Sequence, residues 1–185
     1  MAAQVIEVAP GLDIEPLTDV ALKHANVQAG ILIVERQYGY LEIHGPTEEV
    51  RAAGEAVLAS LGQSEARAVK PQILASRVVP SIDHQHAFLI NRNKVGSMVL
   101  PGESLYVLEV QPASYAILAA NEAEKAAHVS LVNMQPYGAF GRLWMSGSEA
   151  EIDSAAEAAV GLALVIAIYR HQKNIRLQEA SKLKG

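Results

Sequence analysis

The residues of this chain that could carry chemistry are few, and their spacing argues against most catalytic uses. Asp83-His84-Gln85-His86 sets two imidazoles beside a carboxylate, a donor set that a divalent metal would accept. On a helix, however, positions i and i+2 face different ways, so the pair reads better as solvated or interface histidines. His24, His44, His128 and His171 are scattered, with no serine or acid at triad spacing around them. Glu7 and Glu109 could serve as an acid–base pair, but they recur at equivalent places in two copies of one pattern, which favours a structural hydrogen-bonding role. Gly138-Ala139-Phe140-Gly141-Arg142 contains glycines but is followed by neither a Walker-type lysine nor a dinucleotide fingerprint. Arg36 and Arg142 flank loops, where they can set local charge or form ion pairs between subunits. No catalytic residue, cofactor or metal site is expected.

The elements that position these residues come from an internal repeat. Residue n matches residue n + 102: Ile6-Glu7-Val8 lies over Leu108-Glu109-Val110, and Ala21-Leu22-Lys23-His24-Ala25-Asn26-Val27 over Ala123-Glu124-Lys125-Ala126-Ala127-His128-Val129. Gly39-Tyr40-Leu41 lies over Gly141-Arg142-Leu143, Gly45 over Gly147, Glu49 over Glu151 and Glu55-Ala56 over Glu157-Ala158. No gap is needed from the first strand to the second helix, and such self-similarity marks a duplicated unit.

Each half reads as β-α-β-β-α. Short strands are expected at Val5–Val8 and Leu105–Val110, then helices at Glu15–Ala25 and Ala113–Ala127 with Pro16 and Pro112 near their starts. Strand pairs follow at Gln28–Glu35 with Tyr40–His44 and at His128–Gln135 with Arg142–Ser146. The second helices carry apolar stripes: Val50, Ala53, Val57, Leu58 and Leu61 in one, Ile152, Ala155, Ala159, Val160 and Ala163 in the other. Ser148 and Glu151 have the spacing of a capping box. The expected fold is therefore α/β (α+β): two tandem ferredoxin-like βαββα modules, each a sheet with helices on one face. Residues 65–79 read as a strand region attached to the first half, followed by a short helix at Ser81–Ile90. That gives a first module at 1–92, a linker at 93–103, a second module at 104–165 that lacks a last strand, and a helical extension at 166–185.

Composition bounds the function. The chain has 185 residues, 50% hydrophobic and 19% charged, enough for a real core and unlike a disordered chain. A net charge of −5 argues against a nucleic-acid binder. The absence of cysteine excludes disulfides, thiolate nucleophiles and cysteine-based zinc sites, and fits a reducing compartment. No signal peptide is expected from the first residues, which lack a basic stretch followed by an apolar core. The longest apolar run, Ala155 to Tyr169, is too short to span a membrane, so no membrane partner is expected. The extension carries Arg170, Lys173, Arg176, Lys182 and Lys184 against Glu179, which reads as a solvated face packed near the chain's own body.

Lys23-His24-Ala25-Asn26-Val27, its looser copy Lys125-Ala126-Ala127-His128-Val129, the strand ends Ile6-Glu7 and Leu108-Glu109, and Val78-Val79-Pro80-Ser81-Ile82-Asp83-His84 together resemble the bacterial microcompartment (BMC) shell family in its tandem-domain class. The resemblance implies a cytoplasmic shell protein that forms a homotrimeric pseudohexamer and meets other shell proteins at its rim. It implies a central pore for small polar metabolites, lined by Arg36, Gln37, Tyr38, Gly39, Tyr137, Gly138, Ala139, Phe140, Gly141 and Arg142. Lys23, Asn26, Lys125 and His128 would lie at subunit or tile edges. Ser81 stands where the family's edge arginine is usual, and the usual Gly-Ser-Gly pore triplet is missing. The competing reading is a regulatory module that binds small molecules between subunits.

Overall fold

A computed structural model describes residues 1–63, 69–162 and 165; the expected extension at 166–185 lies outside them. The chain forms two compact units, Met1–Val69 with Tyr137–Ala139, and Lys70–Pro136 with Phe140–Gly185.

The first unit is built from β1 (Ala2–Val8), a 3-10 turn (Gly11–Asp13), α1 (Ile14–His24), β2 (Gln28–Glu35), β3 (Tyr38–Gly45) and α2 (Thr47–Ser60). Its sheet has the order β1-β3-β2 with both pairs antiparallel. Alternate residues of β3 enter the core, and two helices cover them. Leu41 and Ile43 pack against Ile14, Leu17 and Ala21 of α1 and Val50, Ala53 and Val57 of α2. Those helix residues recur at three- and four-residue spacing, which places them on one face.

The second unit contains β4 (Gln72–Val79), α3 (His84–Asn91), β5 (Ser104–Gln111), α4 (Tyr115–Ala126), β6 (Ser130–Gln135) and β7 (Gly141–Gly147). A further helix, α5, runs over residues 149–162. Its antiparallel sheet has the order β4-β5-β7-β6. The core repeats the first at the same offset. Leu143, Met145, Ala119, Ala123, Ile152, Ala155 and Ala159 are buried where Leu41, Ile43, Leu17, Ala21, Val50, Ala53 and Val57 are buried in the other copy. Ala119 and Ala159 stand where the first copy has Leu17 and Val57, and Ile152 where it has Val50, so the two cores share a pattern without sharing volumes.

One expectation is corrected here. The strand at 72–79 does not complete the first sheet. It pairs with β5, from Gln72 opposite Gln111 to Val79 opposite Leu105. The second sheet therefore has the strand it was expected to lack, and β4 and α3 lie in the second unit rather than in a first module ending at residue 92. The physical reason is local. A glycine- and proline-containing stretch, Gly96 to Gly102, lets the chain fold back from α3 into β5 beside β4. Asn91 ties that return by hydrogen bonds to the N–H and C=O of Val99 (3.0 and 2.8 Å).

Candidate functional site

The loops that join β2 to β3 and β6 to β7 occupy equivalent places in the two copies, and each is held by the same device. The equivalent strands β1 and β5 are each followed by a cis X-Pro bond, Ala9-Pro10 in one copy and Gln111-Pro112 in the other. The segment after the proline lies against the start of β3 in the first copy and of β7 in the second. A Cβ on Gly39 would collide with the carbonyl oxygen of Gly11 and with Ile14, and one on Gly141 with the carbonyl oxygen of Ala113. These glycines are needed because backbone meets backbone there. Pro10 with Pro112 and Gly11 with Ala113 stand at the same offset of 102, a signal present in the sequence that the motif reading passed over.

In the first copy the connection is a two-residue turn, Arg36-Gln37, since Glu35 lies opposite Tyr38. Arg36 adopts φ 54°, as tight hairpins require, and both turn side chains are exposed. Gln37 Nε2 donates to the Tyr38 hydroxyl at 2.9 Å. In the second copy the connection is longer, running from Pro136 to Phe140, with Gly138 at φ 93°. Its tip, Tyr137–Ala139, belongs to the first compact unit. There the Tyr137 ring meets Tyr40 edge-on at 6.0 Å, and Gly138 sits against the Glu35 carboxylate, where a Cβ would stand 3.1 Å away. Phe140 is exposed.

The polar groups near these loops are largely paired. Arg142 Nε donates to Glu109 Oε2 at 2.7 Å across the β5–β7 pair, so its charge is met by a carboxylate. Tyr40 is almost fully buried, and its hydroxyl donates to Glu42 Oε2 at 3.3 Å. Burial, then the nearby Glu42 carboxylate, raises the Tyr40 pKa above its ordinary value. Glu42 also contacts His44 Nε2 at 2.8 Å. Of the ten residues expected at the loops, Arg36, Gln37 and Phe140 present exposed side chains. Gly39, Gly138 and Gly141 are buried and shape the backbone.

The expected edge residues stand at matching helix ends. Lys23 and Lys125 lie in the last turns of α1 and α4 and pair with Asp19 (2.6 Å) and Glu122 (2.7 Å), exposed contacts of little energetic weight. The Asn26 N–H donates to Glu49 Oε2 at 2.7 Å, tying the entry of β2 to α2. His128, at the equivalent place, is exposed; hydrogen bonds from Ser148 lower the pKa of Glu151, the counterpart of Glu49, with His128 a lesser contributor. In Asp83-His84-Gln85-His86 the carboxylate caps α3 by accepting from the Gln85 N–H at 2.8 Å, and it contacts His84 Nδ1 at 3.3 Å. Among the described residues no group of three potential metal ligands converges.

The geometry thus offers a pair of firmly based hairpins rather than a reaction centre, and comparison with known proteins agrees. Residues 1–67 match the family model of the CsoS1D N-terminal domain. The chain is 49% identical over 156 residues to the carboxysome shell protein CcmP of Synechococcus elongatus, covering 84% of this chain and 73% of that one. It is 46% identical over 156 residues to the carboxysome shell protein CsoS1D of Hydrogenovibrio crunogenus, covering 83% and 76%. Among solved structures it is similar to a fused permuted hexameric shell protein from the RMM microcompartment, with TM-score 0.87 and 66% identity, covering 90% of this chain and 83% of that one. A double-ringed trimeric shell protein from the same kind of compartment gives TM-score 0.85 at 44% identity, covering 89% and 82%.

Proposed function

This chain belongs to the microcompartment shell-protein family of CcmP and CsoS1D, and from that premise we propose that it assembles as a homotrimer with a metabolite pore on its three-fold axis. Three copies of a two-unit chain present six alternating hairpins, and closed symmetry requires one patch to repeat around one axis. The observation that carries the reading is the pair of repeat-equivalent hairpins, each anchored by a glycine packed on the segment after a cis proline. Such anchoring holds loop tips in place close to an axis while leaving Arg36, Gln37 and Phe140 free to face an opening.

The charge at that opening comes from Arg36, because Arg142 is occupied by Glu109. The passing solutes are small, polar and preferably anionic. Exposed apolar side chains supply the surfaces between subunits: Ile31, Leu32 and Val34 on β2, and Phe88, Leu89, Val95 and Met98 along and after α3. Lys23, Asn26, Lys125 and His128 lie at helix ends where neighbouring trimers or other shell proteins would meet. Identity is higher to a shell protein of the RMM microcompartment than to the two carboxysome proteins, which favours the RMM type of compartment over a carboxysome.

The chain has no cysteine, so a Gln37→Cys variant carries a single reactive thiol. A short trifunctional maleimide is expected to convert that variant into covalent trimers, whereas Glu15→Cys on the exposed start of α1 should stay monomeric under denaturing electrophoresis. A monomer by native mass spectrometry, or equal cross-linking of the two variants, would overturn the reading.

A further inference from the structure

The two hairpins are equally long in sequence but end differently, and the difference points to a role for Tyr40. At the offset of 102, Val34-Glu35-Arg36-Gln37-Tyr38-Gly39 lies over Pro136-Tyr137-Gly138-Ala139-Phe140-Gly141, with nothing inserted or lost. The first ladder runs to its end, Val34 opposite Gly39 and Glu35 opposite Tyr38. Among the described residues the second stops at Gln135 opposite Arg142, so the corresponding pairs of Pro136 with Gly141 and Tyr137 with Phe140 are not made. Proline is the local cause. It has no N–H to give to a ladder, and it stands where the first copy has Val34. Parted from β7, the tip is held elsewhere, since Tyr137–Ala139 belong to the first compact unit. The Tyr137 ring meets Tyr40 at 6.0 Å and 64°, an edge-on geometry that aromatic pairs favour, and Gly138, at φ 93°, lies against the Glu35 carboxylate.

We propose that Tyr40 is the seat of this tip, a positioning residue that fixes where the longer hairpin stands. The Tyr40 ring is itself held at both ends. Its backbone lies in mid-ladder between Glu7 and Ile33, its side chain is almost fully buried, and its hydroxyl donates to Glu42 Oε2 at 3.3 Å. Glu42 is steadied in turn by His44 Nε2 at 2.8 Å. The other copy repeats neither partner of the contact. Arg142 stands at the Tyr40 position and is committed to Glu109, and the counterpart of Tyr137 is Glu35, the last residue of β2. The consequence for the opening rests on the trimer reading: three identical seats fix three identical tips, so Tyr40 sets the width of the opening and Arg36 its charge.

The test is 15N relaxation of the tip in the full chain. In the parent, the order parameters of the Gly138 and Ala139 amides are expected to match those of the sheet, about 0.8. Tyr40→Leu keeps an apolar side chain but removes the ring, and should bring both below about 0.6. Leu41 and Ile43 should stay unchanged in that variant, which separates loss of the seat from unfolding. Tyr40→Phe keeps the ring and should restore the parental values. If Tyr40→Leu does not fold, Tyr137→Ser, which alters only the loop side of the contact, must free the tip in the same way. A tip that is mobile in the parent, one that stays ordered in both Tyr40→Leu and Tyr137→Ser, or equal loosening by Tyr40→Phe overturns the proposal. Failure of Gln37→Cys to give covalent trimers would overturn the pore and leave the seat standing, so the two failures are distinguishable.

Discussion

At the level of single residues, the most consequential side chains are those that are missing. An added Cβ at Gly141 meets the Ala113 carbonyl, which belongs to the backbone and has no rotamer by which to retreat. Gly141→Ala is expected to destabilise the protein by about 1–3 kcal/mol, read from the denaturant midpoint. Gly147→Ala is the control: its nearest contact is the flexible tip of Glu151 at 3.4 Å, and a change within about 0.5 kcal/mol is expected. Both glycines belong to the repeat, so sequence comparison ranks them alike; backbone proximity separates them. Arg142 makes the same point. Its place beside a loop suggested a pore charge or an ion pair between subunits, whereas the β5–β7 register sets it opposite Glu109 of its own chain. Nothing in the local sequence states that register.

At the level of elements, caps and stripes were legible because they act over one helical turn. The expected box at the start of α5 is present: Ser148 Oγ donates to Glu151 Oε2 at 2.6 Å, the Ser148 N–H donates to the same oxygen at 3.0 Å, and the Glu151 N–H reaches back to Ser148 Oγ at 3.4 Å. Those Ser148 bonds, hydroxyl first, lower the pKa of the exposed Glu151 carboxyl. A carboxyl whose pKa is lower in the folded state contributes stability above its unfolded value and loses it as pH falls through the folded one. Ser148→Ala should therefore move the Glu151 titration upward in a carboxyl-detected NMR experiment, and the acid loss of α5 should begin at higher pH than in the parent. An unmoved titration would leave the box without electrostatic effect. Among the described residues most of the helices and strands expected from periodicity are found within a few residues of their bounds, while β4 covers only Gln72–Val79 of the strand region expected at 65–79. Pairing between strands was another matter, since β4 adjoins the first half in sequence and the second sheet in space.

At the level of the whole molecule, several large apolar side chains of the described residues stand exposed in the single chain. Phe88 is 64% exposed, Val95 82% and Met98 57%. If those surfaces meet in a trimer, unfolding is coupled to dissociation, and the thermal midpoint is expected to rise by roughly a few degrees per tenfold increase in protein concentration. A midpoint independent of concentration would mean that each chain is stable by itself and that the uncovered surfaces serve something else.

The sequence alone determined that the chain is duplicated, which faces of its helices enter a core and where one helix is capped. These properties follow from spacing within a turn, a strand or a repeat, and spacing is written along the chain. The tertiary structure alone decided which sheet receives β4, that Gly39 and Gly141 lie where backbones touch, and that Arg142 meets Glu109. Each depends on groups brought together by chain reversal, and the free energy of that choice resides in edges and close contacts that no local pattern encodes.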